Sequence, residues 1–134
     1  MKNQPEKFMP NNLPQQFIEF AQPCPIRDVL DRIGDQWSLL ILEALNARIL
    51  RFNELHREIG DVSRQVLSRT LKRLEADGYI SRTLYAEVPP RVEYALTGLG
   101  KSFLEPMQKL IQWADENHAA ICLSRQRSAS DAGA

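Results

Sequence analysis

The chain has 134 residues, of which 43% are hydrophobic and 25% are charged, as is typical of one globular domain with its own core. Seventeen basic residues balance seventeen acidic ones, so the net charge does not point to a polyanionic partner. No signal peptide opens the sequence and no apolar run is long enough to cross a membrane, which predicts a cytoplasmic protein.

The first 23 residues are expected to form a loose arm that contains one short helix. Pro5 and Pro10 stand among polar neighbours, whereas Phe17 and Phe20 give the following stretch an amphipathic pattern. The apolar side of this helix needs a surface to pack on, either in its own domain or in a second subunit.

Three helices are predicted between residues 24 and 60. The first begins at Pro25, because proline is favoured in a first helical turn, and it ends at Gly34. The second, from Trp37 to Leu45, is apolar almost all round and should be the most buried. The third is predicted from Arg51 to Gly60.

The most informative stretch is a helix predicted from Ser63 to Gly78. Serine is a favourable N-cap, and glycine suits the left-handed residue after a last turn. Leucines line one face of this helix, and polar or basic side chains without a carboxylate line the other. The outer residues are Gln65, Ser68, Arg69 and Lys72. Such a face suits a DNA groove, although an ordinary solvated helix can show the same pattern.

Two β-rich segments follow, at Tyr79–Tyr85 and Val92–Leu96. The residues between them form a tip that Pro89 and Pro90 stiffen and that ends in Arg91. Directly behind two helices joined by a tight turn, such a hairpin is predicted to be the wing of a winged helix-turn-helix. Residues 63–91 carry six basic and three acidic side chains, a locally positive stretch in a neutral protein.

The last predicted element is a long amphipathic helix that Thr97 caps. Its apolar face consists of Phe103, Met107, Leu110, Ile111, Ala114 and His118. Pro106 lies within this pattern and should kink or divide the helix. The face suits either dimerisation or packing on the core, and the periodicity alone does not distinguish them.

No catalytic site, metal site or cofactor is predicted. Cys24, Cys122, His56 and His118 are isolated, without the spacing of metal ligands. The sequence contains no glycine-rich phosphate loop, no nucleophile elbow and no defensible pair of carboxylates. An enzyme is therefore not expected.

From about Cys24 to Ala114, the chain resembles winged helix-turn-helix transcriptional regulators of the HxlR type. The matching segments are Cys24-Pro25-Ile26, Ile33-Gly34 followed by Trp37, Arg51–Leu55, Leu71–Ile80, Val88–Thr97 and the late Trp113. Two departures stand out. Asp35 and Gln36 replace a Gly-Lys pair that is usual in the family, and the turn at residues 46–50 lacks the family's glycine.

The resemblance implies a mostly α fold with a small β-hairpin, in which a winged helix-turn-helix domain is followed by a long dimerisation helix. The expected organisation is an arm over residues 1–23, the DNA-binding domain over 24–97, the dimerisation helix over 98–123 and a disordered tail over 124–134. A homodimer would bind a pseudo-palindromic operator in double-stranded DNA. The candidate DNA contacts are Arg51, Ser63, Arg64, Gln65, Ser68, Arg69, Lys72 and Arg91.

The resemblance also places a cysteine that senses electrophiles or oxidants at Cys24. A helix N-terminus and the nearby Arg27 would stabilise its thiolate, whereas a small buried apolar residue is the other interpretation. A further alternative for the whole protein is a winged helix that binds proteins and not DNA. An acidic or apolar outer face would favour that function, and the basic face of residues 63–78 speaks against it.

Overall fold

The computed structural model describes residues 24–133, which form five helices and three short strands. In chain order these are α1 (Pro25–Ile33), α2 (Ser38–Ala44), β1 (Leu50–Arg51), α3 (Phe52–Ile59), α4 (Arg64–Ala76), β2 (Ile80–Tyr85), β3 (Arg91–Leu96) and α5 (Gly98–Gly133). Backbone contacts divide the chain into two compact units, residues 1–36 and 37–134. The predicted N-terminal arm and its short helix lie outside the described residues.

Within the first unit, α1 has the start and end that the sequence predicted. Cys24 is its extended N-cap, and the Cys24 carbonyl accepts a hydrogen bond from the Asp28 N–H at 2.9 Å. Pro25 occupies the first turn, and Gly34 follows the last. Ile33 is buried, but Ile26 and Leu30 remain more than half exposed.

The core of the second unit is built by apolar faces of α2, α3 and α4. Its fully buried side chains include Ile41, Leu42, Leu45, Leu55, Leu67, Leu71, Leu74 and Ile80. α2 was predicted to be the most buried helix because it is apolar almost all round, yet its Leu40 is 48% exposed. Periodicity identifies apolar residues, but it does not decide whether every side of a helix finds a neighbour.

The helix-turn-helix consists of α3 and α4, and its turn is held by a histidine. His56 Nε2–H donates to the Val62 carbonyl at 2.8 Å, which fixes the tautomer of the ring. The Ser63 hydroxyl then accepts from the Val66 N–H at 3.1 Å and caps α4. At the other end Gly78 has φ +86°, as the sequence predicted for the residue that follows this helix.

The three strands form an antiparallel sheet in the order β1-β3-β2. Ile80 pairs with Leu96 at one end of the hairpin, and Tyr85 pairs with Arg91 at the other. β1 was not predicted, because two residues carry no alternating pattern. Arg51 therefore belongs to β1 and precedes α3, and its N–H donates to the Glu54 carboxylate at 2.8 Å. The predicted winged-helix fold, mostly α with a small hairpin and a long C-terminal helix, is confirmed.

The turn between α2 and β1, which lacks the glycine usual in the family, contains a residue with a left-handed backbone conformation. Ala47 has φ +59°, a left-handed conformation that glycine adopts without a steric penalty. For a residue with a Cβ this conformation costs about 1–2 kcal/mol. The turn therefore keeps the shape that a glycine would favour, and alanine adopts it with strain.

α5 is continuous from Gly98 to Gly133, and Pro106 does not divide it. The predicted disordered tail is wrong for residues 124–133, which extend the helix. These residues contain no proline and several good helix formers, and adding residues to an existing helix avoids the cost of nucleation. With 36 residues, α5 is about 54 Å long at 1.5 Å per residue.

The start of α5 is joined to the end of α4 through Thr97. The Thr97 N–H donates to the Tyr79 carbonyl at 3.1 Å, and its hydroxyl lies 2.6 Å from the Gly78 carbonyl, to which it donates. The same hydroxyl oxygen accepts from the Gly100 N–H at 3.1 Å and caps α5. We call Gly78, Tyr79, Thr97 and Gly100 the α4–α5 junction.

Gly100 is the residue of this junction that tolerates no side chain. A Cβ placed there would lie 2.1 Å from the Tyr79 carbonyl oxygen and 3.1 Å from the Leu96 side chain. We expect Gly100→Ala to lower the free energy of unfolding by about 1–3 kcal/mol, as overpacking does. Urea denaturation measures this change.

Gly98→Ala is the matched control, because a Cβ at Gly98 meets nothing within 4 Å. It should leave the unfolding free energy unchanged or slightly raise it, since alanine favours helix over glycine. Equal stability of the two variants would contradict the packing described for the junction.

Candidate nucleic-acid interface

α4 separates its side chains into a buried face and an open face. Leu67, Leu71 and Leu74 are at most 1% exposed and fix the helix on the core. Gln65, Arg69 and Lys72 are exposed, and the structure of residues 24–133 gives their side chains no hydrogen bond or ion pair. Ser68, also predicted on the outer face, is half-buried. We call Gln65, Ser68, Arg69 and Lys72 the outer face of α4.

Arg64, at the start of α4, is held by the preceding helix. One guanidinium nitrogen donates to the Asn53 side-chain oxygen at 2.7 Å, and Cζ lies 5.8 Å from the centre of the Phe52 ring. Ser63, beside it, is exposed but uses its hydroxyl oxygen as the helix cap. Both residues therefore set the geometry of the helix-turn-helix, whatever else they contact.

Arg91 is more constrained than the sequence suggested. It is the first residue of β3, and its guanidinium stacks on Tyr85 with Cζ 4.1 Å from the ring centre. Its terminal nitrogens lie 3.0 Å from a Glu87 carboxylate oxygen and 3.6 Å from a Glu93 oxygen. The Arg91 side chain, which is 29% exposed, is thus held by two carboxylates and an aromatic ring. A DNA contact by Arg91 stays a prediction.

A second arginine near the helix-turn-helix is likewise engaged. Arg48 donates to Glu58 at 2.7 Å in an ion pair on the surface. The hydrogen bond and the charge of Arg48 lower the pKa of the Glu58 carboxyl below its usual value. The side chains of Arg48 and Glu58 therefore satisfy each other, and Arg48 is not an open cation.

A hollow beside α4 brings in a residue that was not among the predicted contacts. Its volume is about 280 Å³, and it is lined by Ser68, Lys72, Glu75, Arg82 and Tyr94. Arg82 lies on β2 directly opposite Tyr94 of β3. The sequence contained a signal for Arg82, since it is a basic residue of a predicted strand and shares a face with Ile80 two residues earlier. Its pairing with Tyr94, however, depends on the register.

The two cysteines differ in surroundings. Cys24 is half-buried at the N-cap of α1, and its thiol makes no capping hydrogen bond. Cys122 is half-buried on α5, where Sγ lies 3.6 Å from His118 Nε2 one turn earlier. The four-residue spacing of this pair is visible in the sequence, and a continuous helix is what brings the two side chains together.

Among residues 24–133, no three side chains of the metal-binding types are grouped closely enough to hold an ion. Within the same part of the chain, every helix is too short or too polar to cross a membrane.

Comparison with known proteins identifies relatives along most of the chain. The sequence profile of the HxlR-like helix-turn-helix family matches residues 32–121. The HTH-type transcriptional regulator YtfH of Escherichia coli K12, itself uncharacterised, is 40% identical over 122 residues, which cover 89% of this chain and 97% of YtfH.

Solved structures of two regulators share the fold. The redox regulator HypR in its reduced form superimposes with a TM-score of 0.68 at 34% identity, covering 73% of this chain and 97% of HypR. Diamide-treated YodB of B. subtilis gives a TM-score of 0.61 at 30% identity, covering 71% of this chain and 95% of YodB.

Proposed function

Since the chain belongs to the HxlR-like helix-turn-helix family of transcriptional regulators, we propose that it binds a pseudo-palindromic operator in double-stranded DNA as a homodimer. The observation that carries this proposal is the outer face of α4. Its long polar and basic side chains are open, while the leucines behind them are buried and hold the helix rigidly. A winged helix that bound only proteins would not need such a face.

The residues of the outer face divide by chemistry into two roles. Gln65 and Arg69 carry planar groups with paired hydrogen-bonding atoms, which match base edges in the major groove. Lys72 and Ser68 carry a point charge and a hydroxyl, which match phosphates. Arg64, which donates to Asn53, is proposed to contact a phosphate as well.

Two substitutions separate base reading from phosphate binding. Arg69→Ala should lose roughly 1–3 kcal/mol of specific binding and relax the preference for one base pair. Lys72→Ala should weaken binding to every sequence alike and reduce the salt dependence. Both are measured as affinity for operator and unrelated duplexes at several salt concentrations, and normal operator affinity in two folded variants would exclude this face.

A dimer is proposed because one reading helix covers only a few base pairs. In a two-fold dimer, two copies of α4 face the same side of the duplex, about 34–36 Å or a multiple apart. α5 offers the surface for this contact, since Leu110 and Trp113 are 49% and 53% exposed in the single chain. Phe103, also predicted in the contact, packs on Tyr79 of its own chain with ring centres 5.3 Å apart.

Lysine replacements at Leu110 and Ile111 should give a folded monomer that loses operator affinity, because two charges would be buried between the subunits. Gln112→Lys adds a charge on the opposite side of α5 and should leave the dimer intact. Sedimentation at micromolar concentration measures the state of each variant. A monomeric unmodified protein would contradict the proposed assembly.

We further propose that Cys24 senses oxidants or electrophiles, as a thiol that is partly exposed at the mouth of α1. When the Cys24 sulfur attacks one oxygen of a peroxide, the O–O bond breaks and water or an alcohol leaves, so that the sulfur is oxidised to sulfenic acid and the peroxide is reduced. When it attacks the carbonyl carbon of an aldehyde, the C=O π bond opens, the oxygen takes up the thiol proton, and no oxidation occurs. The resemblance to HypR and YodB supports this role without assigning it.

Cys24→Ser should abolish any change of operator affinity caused by mild oxidant or reactive aldehyde, whereas Cys122→Ser should retain it. Because Cys122 lies beside His118, both single variants are needed to assign a response. The rate of thiol modification at neutral pH is the direct measurement. If Cys24 reacts no faster than an ordinary free thiol, the sensing role is wrong.

A further inference from the structure

The hollow between α4 and the hairpin is lined by two cations and a hydroxyl. Lys72 and Ser68 come from α4, one turn apart, and Arg82 comes from β2. Tyr94 of β3, only 8% exposed, also lines it. The hollow therefore adjoins the outer face of α4 but draws its second cation from another element.

We propose that this hollow receives a backbone phosphate of the bound duplex, and that Arg82 is the main cation that the hairpin supplies to DNA. The assignment rests on the proposed DNA-binding function and specifies one contact within it. Arg82 and Lys72 neutralise the phosphate from two sides, and the Ser68 hydroxyl donates to one of its oxygens.

The two arginines of the hairpin differ in whether other side chains already hold them. Arg91 is ion-paired with Glu87 and Glu93 and stacked on Tyr85. Binding a phosphate would require it to give up those partners. Arg82 is exposed, and within residues 24–133 its side chain has no hydrogen bond or ion pair to lose. Arg91 thus stabilises the hairpin, and Arg82 is open to a ligand.

A phosphate fits this site better than a base edge. Phosphates follow the rims of the groove that a recognition helix enters, and the hollow lies at the margin of α4 toward the hairpin. A guanidinium binds two phosphate oxygens in parallel, an ammonium adds a point charge, and a serine hydroxyl can donate to a third oxygen.

Glu75 is the opposing group, because its carboxylate also lines the hollow. Among the lining side chains, two positive charges therefore meet one negative charge. The carboxylate repels a phosphate, so removing its charge should have the opposite effect to removing Arg82. This difference in sign separates an electrostatic contact from a general effect on folding.

The test compares Arg82→Gln with Lys109→Gln in the full chain. Lys109 is exposed on α5, far along the sequence from the hollow, and its replacement removes the same charge. Affinity for an operator and an unrelated duplex is measured from 50 to 200 mM salt, and thermal unfolding checks each fold. Each phosphate contact contributes about 0.9 to the slope of log affinity against log salt. Raising the salt from 50 to 200 mM should therefore weaken DNA binding by Arg82→Gln by a factor about 3.5-fold smaller than for the unmodified protein.

Arg82→Gln should weaken both duplexes alike, Lys109→Gln should match the unmodified protein, and Glu75→Gln should bind DNA more tightly. An unchanged salt slope in Arg82→Gln, with the unmodified protein binding DNA normally, would overturn the phosphate site and leave the proposed function standing. Loss of base preference without a change of slope would also overturn it. Failure of the unmodified protein to bind any duplex would instead contradict the proposed function.

Inorganic phosphate distinguishes the duplex from a free anion as the source of the phosphate. An NMR titration of the unmodified protein with phosphate, at constant ionic strength, reports on the hollow through the signals of Ser68 and Arg82. Perturbation of these signals, together with DNA binding that Arg82→Gln leaves unchanged, would make the hollow a small-anion site and overturn the assignment to DNA.

Discussion

The hydrogen bonds around Thr97 tie the end of α4 to the start of α5, and the geometry of the second unit depends on them. Thr97 contacts the carbonyls of Gly78 and Tyr79 on one side and caps α5 through Gly100 on the other. Gly100 permits this approach only because it has no Cβ. The helix proposed to read DNA and the helix proposed to dimerise are therefore fixed relative to one another over a few residues. A rigid junction is what allows a dimer to set the spacing of two reading helices.

The charged groups of the second unit fall into those that stabilise its local structure and those that remain open. Arg48 and Arg64 each have a partner on α3, and Arg91 has its partners within the hairpin. Arg69, Lys72 and Arg82 have none within residues 24–133. Arg69 and Lys72 lie on α4, and Arg82 lies on β2, where it lines the same hollow as Lys72. Basic side chains are therefore grouped here, although the seventeen basic and seventeen acidic residues of the chain balance. The affinity of a protein surface for a polyanion depends on such local placement and not on the total charge.

Much of the fold could be predicted because each element carries a local signal. The cap at Ser63, the left-handed Gly78 and the leucine stripe of α4 lie within single stretches of sequence. β1 was missed because two residues have no periodicity, and its existence depends on pairing with β3. The tail was missed because its composition resembles a disordered segment, whereas its helix continues from one already formed.

The candidate interface was less predictable, since charge alone does not reveal a partner. Arg91 fits a wing contact by position, but Glu87, Glu93 and Tyr85 converge on it only once the hairpin register is known. Arg82 was not among the predicted contacts, and only the sheet brings it to the same hollow as Lys72. The sequence therefore identifies the region of the proposed interface, and the pairing of strands determines which side chains are open there.

Selection of bound sequences from randomised duplex DNA tests the central claim most directly, because it makes no assumption about the operator. The arrangement of α4 and α5 predicts enrichment of two inverted half-sites, with centres about 10–10.5 base pairs or a multiple apart. The same selection with Arg69→Ala should recover that spacing with a relaxed base at one position in each half-site. Recovery of no common sequence, or of a single half-site without symmetry, would contradict a homodimer that reads DNA through α4.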